Sequence, residues 1–406
     1  MHIVYLIHDF PYGGGLATGG AGNYVANIAQ IMCRNGHKVS IITESSEEKF
    51  VNWNGMDIYY IQATKGFKNT GKQMSTAMKV MKNLFRSVAY NRKVQEIDKA
   101  QKVDIVQCVN TYGIGLLRLR KIPYVIRLSS YPSLWGGAER ERFDFEACLK
   151  TRRLDEELHL LAVKNADCVI APSRLIADIT TKKIKKNIEV IESPVVIDEI
   201  EEISSKEREL LGEKYFVTFG ANINRKSIQM LAGVVDELLD KYPDMKYVVI
   251  GRDKLIRYKG DYCMASKVYD EKIIRNKERF VFMGEISDRK RLFSIVKGAV
   301  LCILPTRIDN LPNTVLEAMA LGKVIVSSSG DRGTSVEQLI SDGENGFLAN
   351  IDDAEDLKKM VNIAMNLSLE ARNKIGVEAM KRVEELTPEK VYCKMMKIYE
   401  GVIGHS

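Results

Sequence analysis

No stretch of this 406-residue chain stays apolar for the roughly 20 residues that a membrane-spanning helix needs. The longest apolar runs, such as Ala299 to Leu304, are strand-sized. The opening Met1-His2-Ile3-Val4-Tyr5-Leu6-Ile7 has no basic segment ahead of its apolar one and meets Asp9 at once, so it reads as a first buried strand rather than a secretory signal. No Cys-x-x-Cys occurs among the seven cysteines, at 33, 108, 148, 168, 263, 302 and 393. Cys108, Cys168 and Cys302 lie inside apolar runs, as small core residues do. This usage suits a cytoplasmic protein and gives neither a disulfide frame nor a zinc site. Short-period repeats and low-complexity tracts are also lacking.

What is present is an ordinary folded composition, 45% hydrophobic and 28% charged. At this length two domains of roughly 200 residues are expected. The net charge of +7 is unevenly spread. Between Lys65 and Lys102 stand ten basic residues (65, 68, 72, 79, 82, 86, 92, 93, 99 and 102) against Glu96 and Asp98. Such a face is either a solvated helix surface or a contact for an anionic membrane, worth about 1 kcal/mol per basic residue near the lipid. A nucleic-acid partner is disfavoured, because no aromatic residues stud the basic surface.

Short β-branched runs alternate with helix-period segments. Strands are expected at Ile3–Ile7, Val39–Thr43, Ile58–Ile61, Ile105–Val109, Tyr124–Leu128, Cys168–Ala171 and Glu189–Glu192, with helices at Asn23–Asn35 and Asp155–Asn165 between them. The second half repeats the scheme, with strands at Tyr215–Gly220, Tyr247–Gly251, Phe280–Met283, Ala299–Leu304 and Val324–Ser327. Its helices fit Ser227–Lys241, Arg289–Val296, Thr314–Ala320 and Asp353–Asn366. This βαβ alternation implies mostly parallel sheets covered by helices. Residues 1–193 form the expected first domain and 194–387 the second, with the polar stretch Ile197–Glu209 as a linker. A last helix, 388–406, follows Thr387-Pro388 and is expected to pack back toward the first domain.

In open parallel sheets ligands bind beyond the carboxyl ends of the strands, so the residues there carry the chemistry. After the strand ending at Leu304 comes Asp309-Asn310-Leu311-Pro312-Asn313-Thr314, and a helix opens that carries Glu317. A helix N-terminus offers free N–H groups and a positive dipole end, which suit a diphosphate. A carboxylate one turn in, at Glu317, suits a ribose diol. The plainer alternative is that Asn313 caps the helix and Glu317 complements its dipole. After the first strand of the second domain, Phe219-Gly220-Ala221-Asn222-Ile223-Asn224-Arg225-Lys226 supplies Lys226 as a phosphate partner, with Arg225 and Arg252 as further cations or plain surface bases. The run Gly13-Gly14-Gly15-Leu16-Ala17-Thr18-Gly19-Gly20-Ala21-Gly22 allows close backbone approach to a ligand. It is neither a Walker loop nor a clean dinucleotide fingerprint, although Glu44 after the second strand keeps a NAD-binding option open.

Taken together, these motifs resemble glycosyltransferase family 4, over nearly the whole chain. The resemblance rests on Gly19-Gly20-Ala21-Gly22-Asn23-Tyr24-Val25, Asn35-Gly36-His37-Lys38-Val39 and Ala166-Asp167-Cys168-Val169-Ile170-Ala171-Pro172-Ser173 in the first half. In the second it rests on Phe219-Gly220 with Lys226, Val249-Ile250-Gly251, Phe282-Met283-Gly284, the Asp309-to-Glu317 stretch and Ser341-Asp342-Gly343-Glu344-Asn345-Gly346-Phe347-Leu348. The resemblance implies an α/β GT-B architecture, two Rossmann-like doubly wound domains facing a central cleft, with the acceptor on the first domain and the donor on the second. It implies a retaining hexosyltransferase that uses a nucleotide-sugar donor, a saccharide or lipid-linked saccharide acceptor and no metal or other cofactor. Cell-surface polysaccharide or glycolipid assembly is the expected setting, in the cytoplasm or on the inner membrane face.

By the same resemblance Glu317 holds the donor ribose, Asp309 faces the transferred sugar, and Asn310, Leu311, Pro312, Asn313 and Thr314 present backbone to sugar or phosphate. Lys226 lies on the diphosphate, and Gly19 and Gly20 lie against diphosphate and acceptor. The chain departs from the family pattern at three places. Asp309 stands where a Glu is usual. Ala221 replaces a frequent Arg, whose charge Arg225 or Arg252 would supply. Ser129 takes the place of a frequent His, with Arg127 as a compensating donor. Ala221 and Ser129 leave a donor-binding but catalytically silent subunit as one alternative, and a GT-B nucleotide-sugar epimerase is another.

Overall fold

The computed structural model describes residues 1–11, 19–64, 67, 75–119, 121–151, 153–197, 199–329 and 334–404. The chain begins β1 (His2–Leu6), α1 (Gly20–Arg34), β2 (Lys38–Glu44), β3 (Lys49–Trp53), β4 (Met56–Ile61), α2 (Thr76–Ala100), β5 (Ile105–Val109) and β6 (Tyr124–Arg127). It continues through α3 (Pro132–Ala138), α4 (Phe145–Lys150), α5 (Leu154–Asn165), β7 (Cys168–Ala171), α6 (Arg174–Ile184), β8 (Glu189–Val190) and α7 (Ser205–Leu211). Next come β9 (Tyr215–Phe219), α8 (Ile228–Lys241), β10 (Lys246–Ile250), β11 (Leu255–Tyr258), β12 (Asp261–Met264), α9 (Ala265–Lys272), β13 (Phe280–Gly284), α10 (Arg289–Gly298) and β14 (Leu301–Leu304). Last are α11 (Asn313–Ala320), β15 (Ile325–Ser328), β16 (Phe347–Ala349), α12 (Ala354–Met365), α13 (Leu369–Glu384) and α14 (Pro388–Gly404).

These elements form two compact units. The first holds Met1–Ser133, Lys150–Pro194 and Leu386–Ser406, and the second Leu134–Leu149 and Val195–Glu385. The expected first domain, 1–193, is therefore interrupted. Residues 134–149 fold with the second unit, where Trp135 lies under the Arg225 guanidinium and the Glu139 carbonyl accepts from Asn224.

The first unit is built on an eight-stranded sheet of order β3-β4-β2-β1-β5-β6-β7-β8. All neighbours are parallel except the β3–β4 hairpin. Helices on both faces bury the central strands, which explains why β1 and β5 are apolar without alternation. The hairpin was not expected, although Asn54-Gly55, both with positive φ, is a strong two-residue turn signal. Helix α14 packs in this unit against α1. Inside lies a buried polar chain. Tyr399 donates to Gln107 at 2.5 Å, its hydroxyl meets that of Tyr5 at 3.2 Å, and Gln107 donates to Tyr24 at 3.2 Å.

The second unit has a fully parallel sheet of order β13-β10-β9-β14-β15-β16, with the β11–β12 hairpin apart. The strand order runs outward in opposite directions from β9 and from β14, so the loops after those two parallel strands flank a topological switch point. The expected linker 197–209 is partly helical. Ser204 and Glu207 form a reciprocal capping box that starts α7. Among the described residues no helix is long and apolar enough to cross a membrane.

Candidate active site

Strand β9 delivers the chain to Gly220, whose φ of 117° favours glycine, and a Cβ there would lie 3.0 Å from Thr314 Cγ2. Its neighbour across β10 is Gly251, where a Cβ would fall 1.7 Å from the Gly220 carbonyl oxygen. The two strand ends thus close on each other with bare backbone. A short turn, Asn224–Lys226, follows and enters α8 through Ser227, whose φ is 55°. Asn224 anchors the turn by donating to the carbonyls of Glu139 and Arg257.

The loop after β14 is tied to this turn. Arg307 N and Thr306 Oγ1 both donate to the Arg225 carbonyl, at 2.8 and 3.2 Å. Ser335 holds the other side, its hydroxyl donating to the Asp309 carbonyl at 3.0 Å. In consequence Lys226 Nζ donates to Asp309 Oδ2 at 2.5 Å, with both side chains mostly enclosed. Burial opposes ionisation of Asp309, yet Lys226 and then Arg225 more than offset it and hold the carboxyl below its ordinary range.

Helix α11 begins just beyond. Pro312, not Asn313, is its N-cap, and no side chain caps it. The Val315 and Leu316 N–H groups donate to the Pro312 carbonyl, while those of Asn313 and Thr314, at the positive end of the dipole, have no helical carbonyl to meet. Asn310, Leu311 and Pro312 are buried, whereas Asn313, Thr314 and Glu317 are half-buried. A recess is lined by Gly220, Ala221, Lys226, Pro305 and Thr314, among others. Glu317 lies one turn deeper. Its Oε1 accepts from Arg289 at the start of α10, at 3.1 Å. Arg289 escaped the sequence reading. It sits among Arg289-Lys290-Arg291, and nothing local marks which of the three turns inward.

The other expected cations are differently engaged. Arg225 pairs with Glu139 at 3.3 Å and stacks on Trp135. Arg252 pairs with Glu285 at 2.7 Å on the surface. Neither is brought to the recess by its present partners.

In the first unit Gly19 is the extended N-cap of α1 and Gly20 its first residue. Residues 12–18 of the glycine-rich run lie outside the described residues. Ser129 gives both its N–H and its hydroxyl to Asn110 Oδ1, at 2.7 and 3.3 Å. Arg127 corrects its expected role. It is only 3% exposed, its guanidinium lies 3.6 Å over the Tyr24 ring, and it donates to Ser193. At the last position of β6, between β5 and β7, its side chain is held in the core by these contacts rather than turned to solvent.

Arg86 is a second correction. It belongs not to the basic face of α2 but to the interior, where it pairs with Glu44 through Nε at 2.5 Å and Nη2 at 3.3 Å. Both oxygens of the acid that a dinucleotide ribose would need are thereby engaged. Lys65, Lys68 and Lys72 of the same face lie outside the described residues.

Two family models match the chain, Glycosyltransferase Family 4 over residues 18–199 and Glycosyl transferases group 1 over 213–366. A glycosyltransferase of Haemophilus influenzae, itself uncharacterised, is 23% identical over 86% of this chain and 88% of its own. The phosphatidyl-myo-inositol mannosyltransferase of Mycolicibacterium smegmatis is 24% identical over 44% of this chain and 43% of its own. Among solved structures, sucrose-phosphate synthase from Thermosynechococcus elongatus superposes with a TM-score of 0.76 at 16% identity, covering 100% of both chains. With two doubly wound units, a glycine-and-lysine recess on the second and matches along both halves, the chain belongs to glycosyltransferase family 4 and has the GT-B fold.

Proposed function

We propose that the chain moves a hexosyl group from a nucleoside-diphosphate sugar, held by the second unit, to a hydroxyl of a saccharide or lipid-linked saccharide, with retention at the anomeric carbon. The observation that carries this reading is the meeting of Lys226, Asp309 and the uncapped start of α11 beside Gly220, with Glu317 one turn deeper. The diphosphate lies against the helix start and Lys226. The ribose diol donates to Glu317, which Arg289 holds in place, and Asp309 faces the transferred sugar.

The bond from the anomeric carbon to the phosphate oxygen breaks, and its electron pair leaves on the diphosphate. The acceptor oxygen bonds to the same face of the sugar, and its proton passes to a donor phosphate oxygen. No enzymatic nucleophile or metal takes part. Lys226 and the α11 dipole offset the charge that grows on the leaving group.

A lipid-linked acceptor, and a place in cell-surface polysaccharide or glycolipid assembly on the inner membrane face, are supported by the first half of α2. There Met78, Met81, Leu84 and Phe85 are exposed beside Lys79 and Lys82. Apolar tips interleaved with bases suit an anionic interface. The name of the mycobacterial relative, whose acceptor is a phosphatidylinositol, points the same way.

The test is thermal unfolding with UDP, GDP, ADP and their common sugar conjugates. One nucleotide series should raise the Tm of the wild type, and Glu317→Gln should weaken that nucleotide about 10- to 100-fold, the worth of hydrogen bonds to a charged acceptor. A Tm that no nucleotide moves sinks the donor reading.

A further inference from the structure

The chain leaves the first unit after Ser133, folds Leu134–Leu149 into the second and returns at Lys150. The inserted stretch is fastened to both loops that carry Lys226 and Asp309. Asn224 donates to the Glu139 carbonyl at 3.0 Å, and Arg307 donates to the carbonyls of Arg140 and Glu141 at 2.7 and 3.1 Å. The Gly260 N–H donates to Glu141 Oε1 at 2.6 Å. None of these anchors uses the Glu139 carboxylate or the Trp135 ring.

Those two groups are turned on Arg225. Its guanidinium lies 5.6 Å from the centroid of the Trp135 ring. Its Nε and its backbone N–H donate to the two oxygens of Glu139, at 3.3 and 3.4 Å. Charge-assisted bonds usually run about 2.7–2.9 Å, so this hold is loose. The Glu139 side chain is also 40% exposed, and solvent screening keeps such a pair weak. As a fastening it adds little to the main-chain anchors.

Arg225 adjoins Lys226, and consecutive Cα atoms lie only about 3.8 Å apart. Its charge already reaches the recess, where it helps to hold the Asp309 carboxyl below its ordinary range. A guanidinium meets phosphate in the same forked geometry as carboxylate. A diphosphate brings more charge and more acceptor oxygens than one carboxylate, so it competes for this cation on favourable terms.

We infer that Glu139 is an internal stand-in for a donor phosphate: with Trp135 it parks Arg225 beside the recess, and an incoming diphosphate takes the guanidinium from it. Glu139 and Trp135 are positioning residues that act through Arg225. The inference rests on the donor reading and deepens it, by naming a second cation for the diphosphate and the carboxylate that restrains it.

The test uses the full chain carrying Trp53→Phe, which leaves Trp135 as its sole tryptophan. The probes are UDP, GDP, ADP and inorganic pyrophosphate, the last requiring no choice of base. Calorimetry gives their Kd values, and Trp135 emission is read at saturation. Glu139→Gln keeps the side-chain shape and the main-chain anchors. It should tighten the diphosphates that bind by about two- to five-fold, the range expected for a partly exposed ion pair. Damage to the fold would not produce a gain. In an Arg225→Gln background the gain from Glu139→Gln should vanish. Saturating ligand should change Trp135 emission when Arg225 is present and leave it unchanged in Arg225→Gln. Equal or weaker binding in Glu139→Gln, the same gain without Arg225, or an unmoved Trp135 emission overturns the inference. Nucleotides that bind with none of these effects leave the donor reading standing. Pyrophosphate that shows them while no nucleotide binds leaves the Glu139 contact standing and removes the donor reading. Failure of every probe to bind overturns both.

Discussion

Lys226 Nζ sits 2.5 Å from Asp309 Oδ2, joining the two loops that flank the switch point of the second sheet. Because the folded Asp309 carboxyl is held below its ordinary value, the pair stabilises the protein above the unfolded carboxyl pKa of about 4 and stops doing so as pH falls through the folded value. Wild type should therefore be more stable than Asp309→Asn at pH 7, and the gap should narrow as pH drops below about 4. Urea titrations at a series of pH values read this directly. A gap that stays constant down to pH 3 would show that the carboxylate is not favoured in the fold.

In the proposed mechanism Lys226 also offsets the charge that grows on the leaving diphosphate. Replacing it with Met keeps the side-chain bulk and removes the cation. The rate of sugar transfer, or of donor hydrolysis where no acceptor is supplied, should fall by about 100-fold or more. EDTA should leave the wild-type rate unchanged, because the proposed mechanism draws its positive charge from protein groups. A wild-type rate abolished by EDTA and restored by magnesium would refute that assignment.

Gly251→Ala tests the close approach of two strand ends. The new methyl carbon would meet the Gly220 carbonyl oxygen at 1.7 Å, and φ there is 151°. Backbone cannot yield as a flexible side chain does, so the substitution should cost about 3 kcal/mol or more. It should also weaken the nucleotide-dependent Tm shift by displacing Gly220. Gly233→Ala, with open space around the added methyl on α8, is the control and should leave stability unchanged or slightly raised.

Tyr399→Phe probes the hold of α14 on the first sheet. The phenol donates to Gln107 inside the core, and removing it leaves a buried acceptor without its partner, at about 1–3 kcal/mol. Tyr399→Ala removes the ring as well and should cost about 3–5 kcal/mol. Denaturant unfolding followed by circular dichroism measures both. Equal stability of Tyr399→Phe and wild type would mean that water replaces the phenol without loss.

The order of strands and helices was largely legible in the sequence, because buried parallel strands are apolar throughout and the helices between them keep their own period. The hairpins were the exception. β3 alternates weakly and is exposed along one face, so its apolar signal was thin even though Asn54-Gly55 marked the turn. The residues around the recess on the second unit were legible for a related reason. Gly220, Lys226, Asp309 and Glu317 all stand just after a strand or early in the following helix, where local sequence fixes position.

Partnership was not legible. Arg127, Arg225 and Arg252 read alike as cations near strand ends, yet one stacks in the core on Tyr24, one leans on Trp135 and Glu139, and one pairs with Glu285 on the surface. Arg86 lay in a basic run and turned inward to Glu44, and Arg289 stood unremarked until α10 brought it to Glu317. The sequence by itself determined the parallel sheets, the turns that end their strands and the residues at those turns, because propensity and hydrophobic period act over a few neighbouring residues. Only the tertiary structure decided which charge meets which, that 134–149 joins the second unit and that Tyr399 reaches Gln107. Those contacts bridge tens to hundreds of residues, and each depends on which face of an element the packing turns inward.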